Sequence, residues 1–423
     1  MKWGTRIQDR NIWAIYRGTI LLSIAYGMAL SVIAIFLDAK GFSKSDIGSL
    51  AVVFGLGIVA VSLVMDRLIE RFGARSTLVT SFFGYAATVI AFPFLDDFTS
   101  IAAMRFFDGA FSVGIWVSAE TILLSRAGEG HKAFTMSLYA VAMALGYVVG
   151  PGIAWVITRF GPLSLGFISA GIVSAIAGVY VLVALDPDKA PTPIHVNPAE
   201  VAVTTSAFQP TAAETRGGVL WRIKNSCFAT FAYGYFQASA VLFLPLFLIQ
   251  SKGLTEGQTI WIPAFFALGM LLCTNIVGVV GDRVGHLLTM RMLAIVGTAM
   301  VLGFVFVDAY PLMCVAIFFT GGTLASISPV SLALQGVSVH PDDYSRATSI
   351  YNTFYALGML FGPKVSAMVF ERYGGEAMLF HLAALWVVFI VFSLIFHADD
   401  PASRSSTLRP PAAASVDVSG TAA

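Results

Sequence analysis

The chain copies one block of itself at a single offset. Lys40-Gly41 returns as Lys252-Gly253, Phe54 and Gly57 as Phe266 and Gly269, and Glu70-Arg71-Phe72-Gly73 as Asp282-Arg283-Val284-Gly285. Phe106-Phe107 with Gly109 returns as Phe318-Phe319 with Gly321. Ser137 with Tyr139 returns as Ser349 with Tyr351, and Ala144-Leu145-Gly146 leading to Gly150-Pro151 returns as Ala356-Leu357-Gly358 leading to Gly362-Pro363. An offset held without slippage from Lys40 to Pro151 requires two copies of one bundle.

The solvent of that bundle follows from composition. With 57% apolar and only 12% charged residues, and a mean hydropathy of +0.82, a water-facing fold would expose far too much apolar surface. Apolar stretches of about 20 residues, long enough to cross a hydrocarbon core, recur without β-barrel alternation. Hydropathy and breakers place six spans near 13–37, 46–65, 76–95, 100–124, 134–157 and 162–185, and six more near 225–250, 259–280, 288–308, 311–335, 347–370 and 376–397. The expected fold is an all-α membrane protein, twelve transmembrane helices in two pseudo-symmetric six-helix bundles. The bundles are expected over 1–185 and 219–397. Residues 186–218, rich in Pro, Thr, Ala and Val, read as a flexible cytoplasmic linker, and the Ser-, Pro- and Ala-rich 398–423 as a disordered cytoplasmic tail.

Even span number puts both termini on one face. That face collects most of the Lys and Arg, including Arg67, Arg71, Arg75, Arg126, Arg283 and Arg291, whereas the other holds Lys40, Lys44, Arg159, Lys252 and Arg372. The positive-inside rule makes the termini cytoplasmic, in the inner membrane of a bacterium. The polar stretch from Met1 to Arg10 and the long first apolar run read as a retained helix rather than a cleaved leader. Net charge of +1 gives no basis for a nucleic-acid partner. Cys227, Cys273 and Cys314 are isolated and the six His are scattered without ligand spacing, so neither a disulfide framework nor a metal or other cofactor is expected. No G-x-x-x-x-G-K-S/T, H-E-x-x-H or G-x-S-x-G motif is present, which argues against an enzyme.

Duplicated bundles in an apolar chain are the mark of a secondary transporter. Between spans 2 and 3 lie Asp66, Glu70, Arg71, Gly73 and Arg75; between spans 8 and 9 lie Gly278, Asp282, Arg283 and Gly285. A short turn needs Gly73 and Gly285, and the acid-Arg pairs can bind neighbouring helix ends or each other, latching one conformation. Here the chain resembles the major facilitator superfamily, whose signature between helices 2 and 3 is G-x-x-x-D-R-x-G-R-R. Asp66 stands where that signature has its leading Gly. The resemblance implies a charge relay that stabilises the state closed to the cytoplasm.

Span 4 carries Arg105-Phe106-Phe107-Asp108-Gly109, similar to the superfamily's R-x-x-x-G. At 100° per residue Arg105, Asp108, Ser112, Trp116 and Glu120 form one polar stripe. A buried Arg costs roughly 2.5–3.5 kcal/mol on insertion scales unless it is paired or meets water. Arg105, Asp108 and Glu120 are therefore the candidates for proton coupling, with a fixed structural salt bridge as the plainer reading. In the second copy the Arg105 and Asp108 positions hold Ile317 and Thr320, so the charge belongs to one half.

Gly146, Gly150 and Pro151 on span 5, and Gly358, Gly362 and Pro363 on span 11, allow close helix approach and bend each helix, at a rocking interface or in plain packing. Gly150-Pro151-Gly152 resembles the helix-5 motif of the proton-driven efflux branch. Tyr26, Tyr233, Gln237, Ser331, Tyr351, Asn352 and Tyr355 are candidate cavity groups. Lys364 is either a snorkelling residue at the periplasmic edge or a second cavity charge. Together these features predict a monomeric carrier in the lipid bilayer that exports a small organic molecule against inward protons. Uptake by proton symport or facilitation, and a non-transporting receptor or scaffold, are the alternatives.

Overall fold

The computed structural model describes residues 9–127, 132–187, 218–339 and 344–397, and among them twelve helical spans are long and apolar enough to cross a membrane. The first half comprises α1 (Arg10–Ala39), α2 (Lys44–Ser62), α3 (Met65–Phe72), α4 (Ala74–Ala91), α5 (Phe98–Arg126), α6 (Lys132–Arg159) and α7 (Ser164–Ala184). In the second half are α8 (Val219–Arg222), α9 (Lys224–Lys252), α10 (Glu256–Ile260), α11 (Ile262–Val284), α12 (His286–Phe306), α13 (Tyr310–Thr320), α14 (Ser326–Ser338), α15 (Tyr344–Tyr373) and α16 (Gly375–Ile395). The linker reading falls almost wholly, and the tail reading wholly, outside the described residues.

The repeated residues do the same work twice. Ser43 caps α2 in a reciprocal capping box with Asp46, and Thr255 caps α10 in the same way with Gln258. Lys40 reaches the α4–α5 connection, with its Nζ 2.8 Å from Asp96, and Lys252 reaches Asp308 at 2.7 Å in the α12–α13 connection. Gly41 and Gly253 follow each Lys with φ of 88° and 66°, the left-handed region that closes a helix end. Asp97 caps α5 by accepting the Ser100 N–H, and these backbone donors hold its carboxyl below the usual carboxylate range.

Packing repeats as well. A Cβ on Gly57 would lie 2.0 Å from the Phe106 carbonyl oxygen, and one on Gly269 1.9 Å from that of Phe318. Backbones of α2 and α5, and of α11 and α13, therefore touch through glycine. Gly150 meets the Ile24 carbonyl on α1, and Gly362 that of Tyr235 on α9, each at 2.5 Å for an added Cβ. The glycines read as bends are thus crossing points within each half. Outward faces carry Val179, Val183, Leu394 and Ile395, apolar and exposed, which only lipid can cover.

Three elements depart from the hydropathy reading. Span 2 ends at Ser62 rather than running to 65, and the segment holding Asp66, Glu70 and Arg71 is the separate helix α3 rather than a turn. Its sequence, Met65 to Phe72, alternates charged and apolar positions at helical spacing, so it forms an amphipathic helix suited to an interface. Span 8 is divided, with Pro263 in the first turn of α11 following the short α10. Span 10 is interrupted by a π-helical turn at Gly321–Ala325, where two adjacent glycines weaken the α register.

Candidate functional site

Helices α1 and α9, equivalent in the repeat, are the most enclosed spans, and a cavity lies between the halves beside them. One lobe, of about 190 Å³, is lined by Tyr26, Tyr85, Arg105, Asp108 and Trp116 from the first half and by Tyr355 from the second. A second lobe, of about 130 Å³, reaches Phe266, Met270 and Ile317. Leu30, Tyr147, Gln237 and Val241 border both.

The polar stripe on α5 points into this cavity. Arg105 and Asp108 are both buried and form a hydrogen-bonded ion pair, one turn apart on the same helix. The guanidinium also lies 4.3 Å from the centre of the Phe54 ring, and Ser112 donates to the other Asp108 oxygen at 3.5 Å. Each charge thus has its counter-charge, and the arginine a π face, so neither pays the full desolvation penalty alone. Glu120 is half-buried further along α5, toward the end that bears the termini, and it does not line the cavity.

Aromatic rings form most of the remaining wall. Tyr26 packs against Tyr85 at 4.7 Å, Trp116 at 5.9 Å and Tyr147 at 6.4 Å between centroids. From the other half, Tyr355 stacks on Tyr233 at 6.0 Å and donates to Gln237 Oε1 at 3.0 Å. Of the residues expected in the cavity, Tyr26, Gln237 and Tyr355 line it, with Tyr233 packed behind Tyr355. Tyr85, Trp116 and Tyr147 join them. Tyr147 sits inside the Gly146–Pro151 motif, and Trp116 on the charged stripe, which were the available signals; Tyr85 carried none.

Four expected cavity residues lie elsewhere. Ser331 and Tyr351 bond each other at 2.9 Å, and Tyr351 donates to the Ser328 carbonyl, so their polar atoms are consumed in joining α14 to α15. Asn352, one residue on, turns to the exposed side of α15. Lys364 does not line the cavity: its Nζ is 2.8 Å from both Ser45 Oγ and Ser49 Oγ in the first turns of α2. It binds one half to the other.

That contact belongs to a seam at the end opposite the termini. Gly48 lies against Ala367 and the Pro363 carbonyl, Trp155 packs on Trp261 at 5.9 Å, and Gln250 donates to Asp38 at 3.3 Å. Small residues on α2 and α15, and the rings of Trp155 on α6 and Trp261 between α10 and α11, hold the two halves together there.

At the termini-bearing end Arg71 and Arg75 contact residues of their own half. Gly73 and Gly285 turn the chain with φ of 83° and 108°. Arg71 lies over its own Phe72 ring, Arg75 donates to the Leu182 carbonyl in the last turn of α7, and Glu70 and Arg283 are exposed. Arg75 thereby neutralises a helix C-terminus. The side chains of Asp66 and Asp282 lie outside the described residues. Gly278 has nothing within 4 Å, so no close helix contact forms there in this conformation.

A bundle duplicated in sequence and packing, a cavity between its copies and a seam on one side of that cavity define a membrane carrier. The sequence model of the Major Facilitator Superfamily matches residues 15–236 and 226–418, and the chain belongs to that family. An uncharacterised MFS-type transporter of Yersinia enterocolitica is 22% identical over 388 residues, covering 91% of this chain and 96% of the relative. Among solved structures, the nucleoside transporter NupG superposes with a TM-score of 0.72 at 12% identity, over 94% of this chain and 100% of that one. A bacterial homologue of the human lysosomal transporter Spinster, inward-facing and unoccupied, gives 0.69 at 13% identity, over 93% and 96%. The fold is therefore that of a twelve-helix major facilitator, a carrier rather than an enzyme.

Proposed function

We propose that this carrier exports a small organic molecule from a bacterial cytoplasm in exchange for inward protons, by alternating access. The observation that carries this reading is the Arg105–Asp108 ion pair, buried in the central cavity and present in one half only. A scaffold would gain nothing from burying such a pair where the equivalent Ile317 and Thr320 serve the second half without charge.

Protonating Asp108 neutralises the counter-charge of Arg105, and the released guanidinium must then find water or another acceptor. That changes the relative free energy of states with the cavity wet from one side or the other. One proton moving through 100 mV supplies about 2.3 kcal/mol before any pH gradient. Glu120, further along the same stripe, lies on the route by which a proton would reach the termini-bearing side. In this reading the Lys- and Arg-rich termini face is cytoplasmic, so the seam of Lys364, Gly48 and Trp155 closes the periplasmic side. The first bundle, residues 1–185, and the second, 219–397, rock about the cavity, joined by the 186–218 linker and followed by the 398–423 tail, in a monomer. Asp66, Glu70, Arg71, Arg75, Asp282 and Arg283 would latch the opposite, cytoplasm-closed state.

The test uses proteoliposomes with an acidic lumen and a panel of labelled metabolites. Exchange predicts that a transported solute accumulates inside as protons leave, and that an uncoupler abolishes the accumulation. Solute leaving with the protons would establish symport instead, and flux indifferent to both pH and uncoupler would refute proton coupling.

A further inference from the structure

The two ends of the cavity are related by the sequence repeat, yet they differ in chemistry. Arg105, with its ion pair, stands at one end, and Ile317, its equivalent in the second copy, lines the other among Phe266 and Met270. Duplication has thus produced a polar pole on the first half and an apolar pole on the second, in adjoining pockets that share Tyr147 and Gln237 as lining. A molecule filling both must itself be two-ended.

The polar pole offers hydrogen-bond donors in excess. Trp116 Nε1 is buried and makes no hydrogen bond in the protein, and Tyr26 Oη, buried beside the Ser112 hydroxyl, keeps its O–H to donate. Gln237 accepts from Tyr355 through Oε1, which leaves its Nε2–H2 group to donate. A buried donor without a partner costs about 1–3 kcal/mol, so these atoms are poised for an acceptor brought by a ligand. The charges nearby are already spent on each other: Arg105 is neutralised by Asp108 and covered by Phe54. An ionic ligand would lose its hydration here without gaining a free counter-charge. The ring walls, Tyr26 with Tyr147 on one half and Tyr355 with Tyr233 on the other, favour a planar π system between them.

Building on the transport reading above, we infer that the cargo is an uncharged, planar aromatic molecule with a hydrogen-bond acceptor at one end, such as a ring carbonyl or lactone. The acceptor is held by Trp116, Tyr26 and Gln237, and the apolar edge lies against Phe266, Met270 and Ile317.

Coumarin, coumarin-3-carboxylate and an aminoalkyl coumarin share one ring and differ in charge, so they serve as probes. Equilibrium dialysis of the labelled compounds against purified protein in detergent, without any gradient, reads binding alone. Coumarin should bind saturably and at least about tenfold more tightly than either charged analogue. Trp116→Phe should weaken coumarin about tenfold, the equivalent of the 1.4 kcal/mol that one hydrogen bond can contribute. Ile317→Arg should abolish coumarin binding in protein that still elutes as a single monodisperse peak in detergent. Tighter binding of the carboxylate or the ammonium, or indifference to Trp116→Phe, overturns the inference. Because dialysis needs no proton gradient, such a result leaves the exchange reading standing; the selectivity would equally survive a failure of proton coupling.

Discussion

We expect Arg105→Met protein to insert in the membrane but to carry solute at no more than the rate of empty liposomes, and to be less stable than the wild type. Removing the guanidinium strands Asp108, buried on α5, with Ser112 as its one remaining hydrogen-bond donor. Breaking one partner from a buried pair destabilises by about 3–5 kcal/mol, less whatever protonation of the carboxyl recovers. The double variant Arg105→Met/Asp108→Asn restores much of that stability, since no charge is left unpaired, yet it stays inactive in the proton-driven assay. Stability and transport thus separate: melting midpoints in detergent follow the charge balance, and flux follows the presence of the titratable pair. A double variant that transports normally would mean the pair is only structural.

The second large effect falls on the repeated glycines. Ala at Gly57 or Gly269 would push a Cβ to within 2.0 or 1.9 Å of a carbonyl oxygen on the neighbouring helix, and Gly109 and Gly321 meet the Phe54 and Phe266 carbonyls at 2.1 Å. Backbone cannot yield as a side-chain tip does, so each helix pair must move apart. We expect each Gly→Ala change to cost at least the 1–3 kcal/mol typical of overpacking, and to lower expression and melting midpoint alike in both halves. Gly303→Ala, on α12 with nothing within 4 Å, serves as the control. It should be neutral or slightly stabilising, because alanine favours the helix by about 1 kcal/mol. Tolerance of Ala at Gly269 would show that the halves are not joined internally as described.

The contrast between these two sites explains what could be read in advance. Close helix crossings leave a signature in sequence because only glycine fits, and a duplicated glycine leaves it twice; hence the bundles and their symmetry were legible from Gly57, Gly109 and their copies. Arg105 was legible for a different reason, the cost of a charge at membrane depth. Cavity lining was less so. Tyr351 and Tyr355 are the same residue type one turn apart on α15, but a hydroxyl can be spent between two helices as readily as in a cavity, and only the packing decides. Lys364 could not be placed because its partners, Ser45 and Ser49, lie on the other half and carry no charge. The end of α2 at Ser62 was hidden by the apolar residues Leu63 and Val64, which belong to the break rather than to the span.

The most direct test of alternation about a proton-sensitive pair is a paired distance measurement. Spin labels on a background lacking Cys227, Cys273 and Cys314 would be placed at Leu63 and Val284, exposed at the termini-bearing end, and at Phe160 and Tyr373, exposed at the seam end. As pH is varied, one distance should lengthen while the other shortens, and Asp108→Asn should remove the pH response from both. Distances that stay fixed, that change together in the same sense, or that respond to pH unaltered in Asp108→Asn would contradict the account.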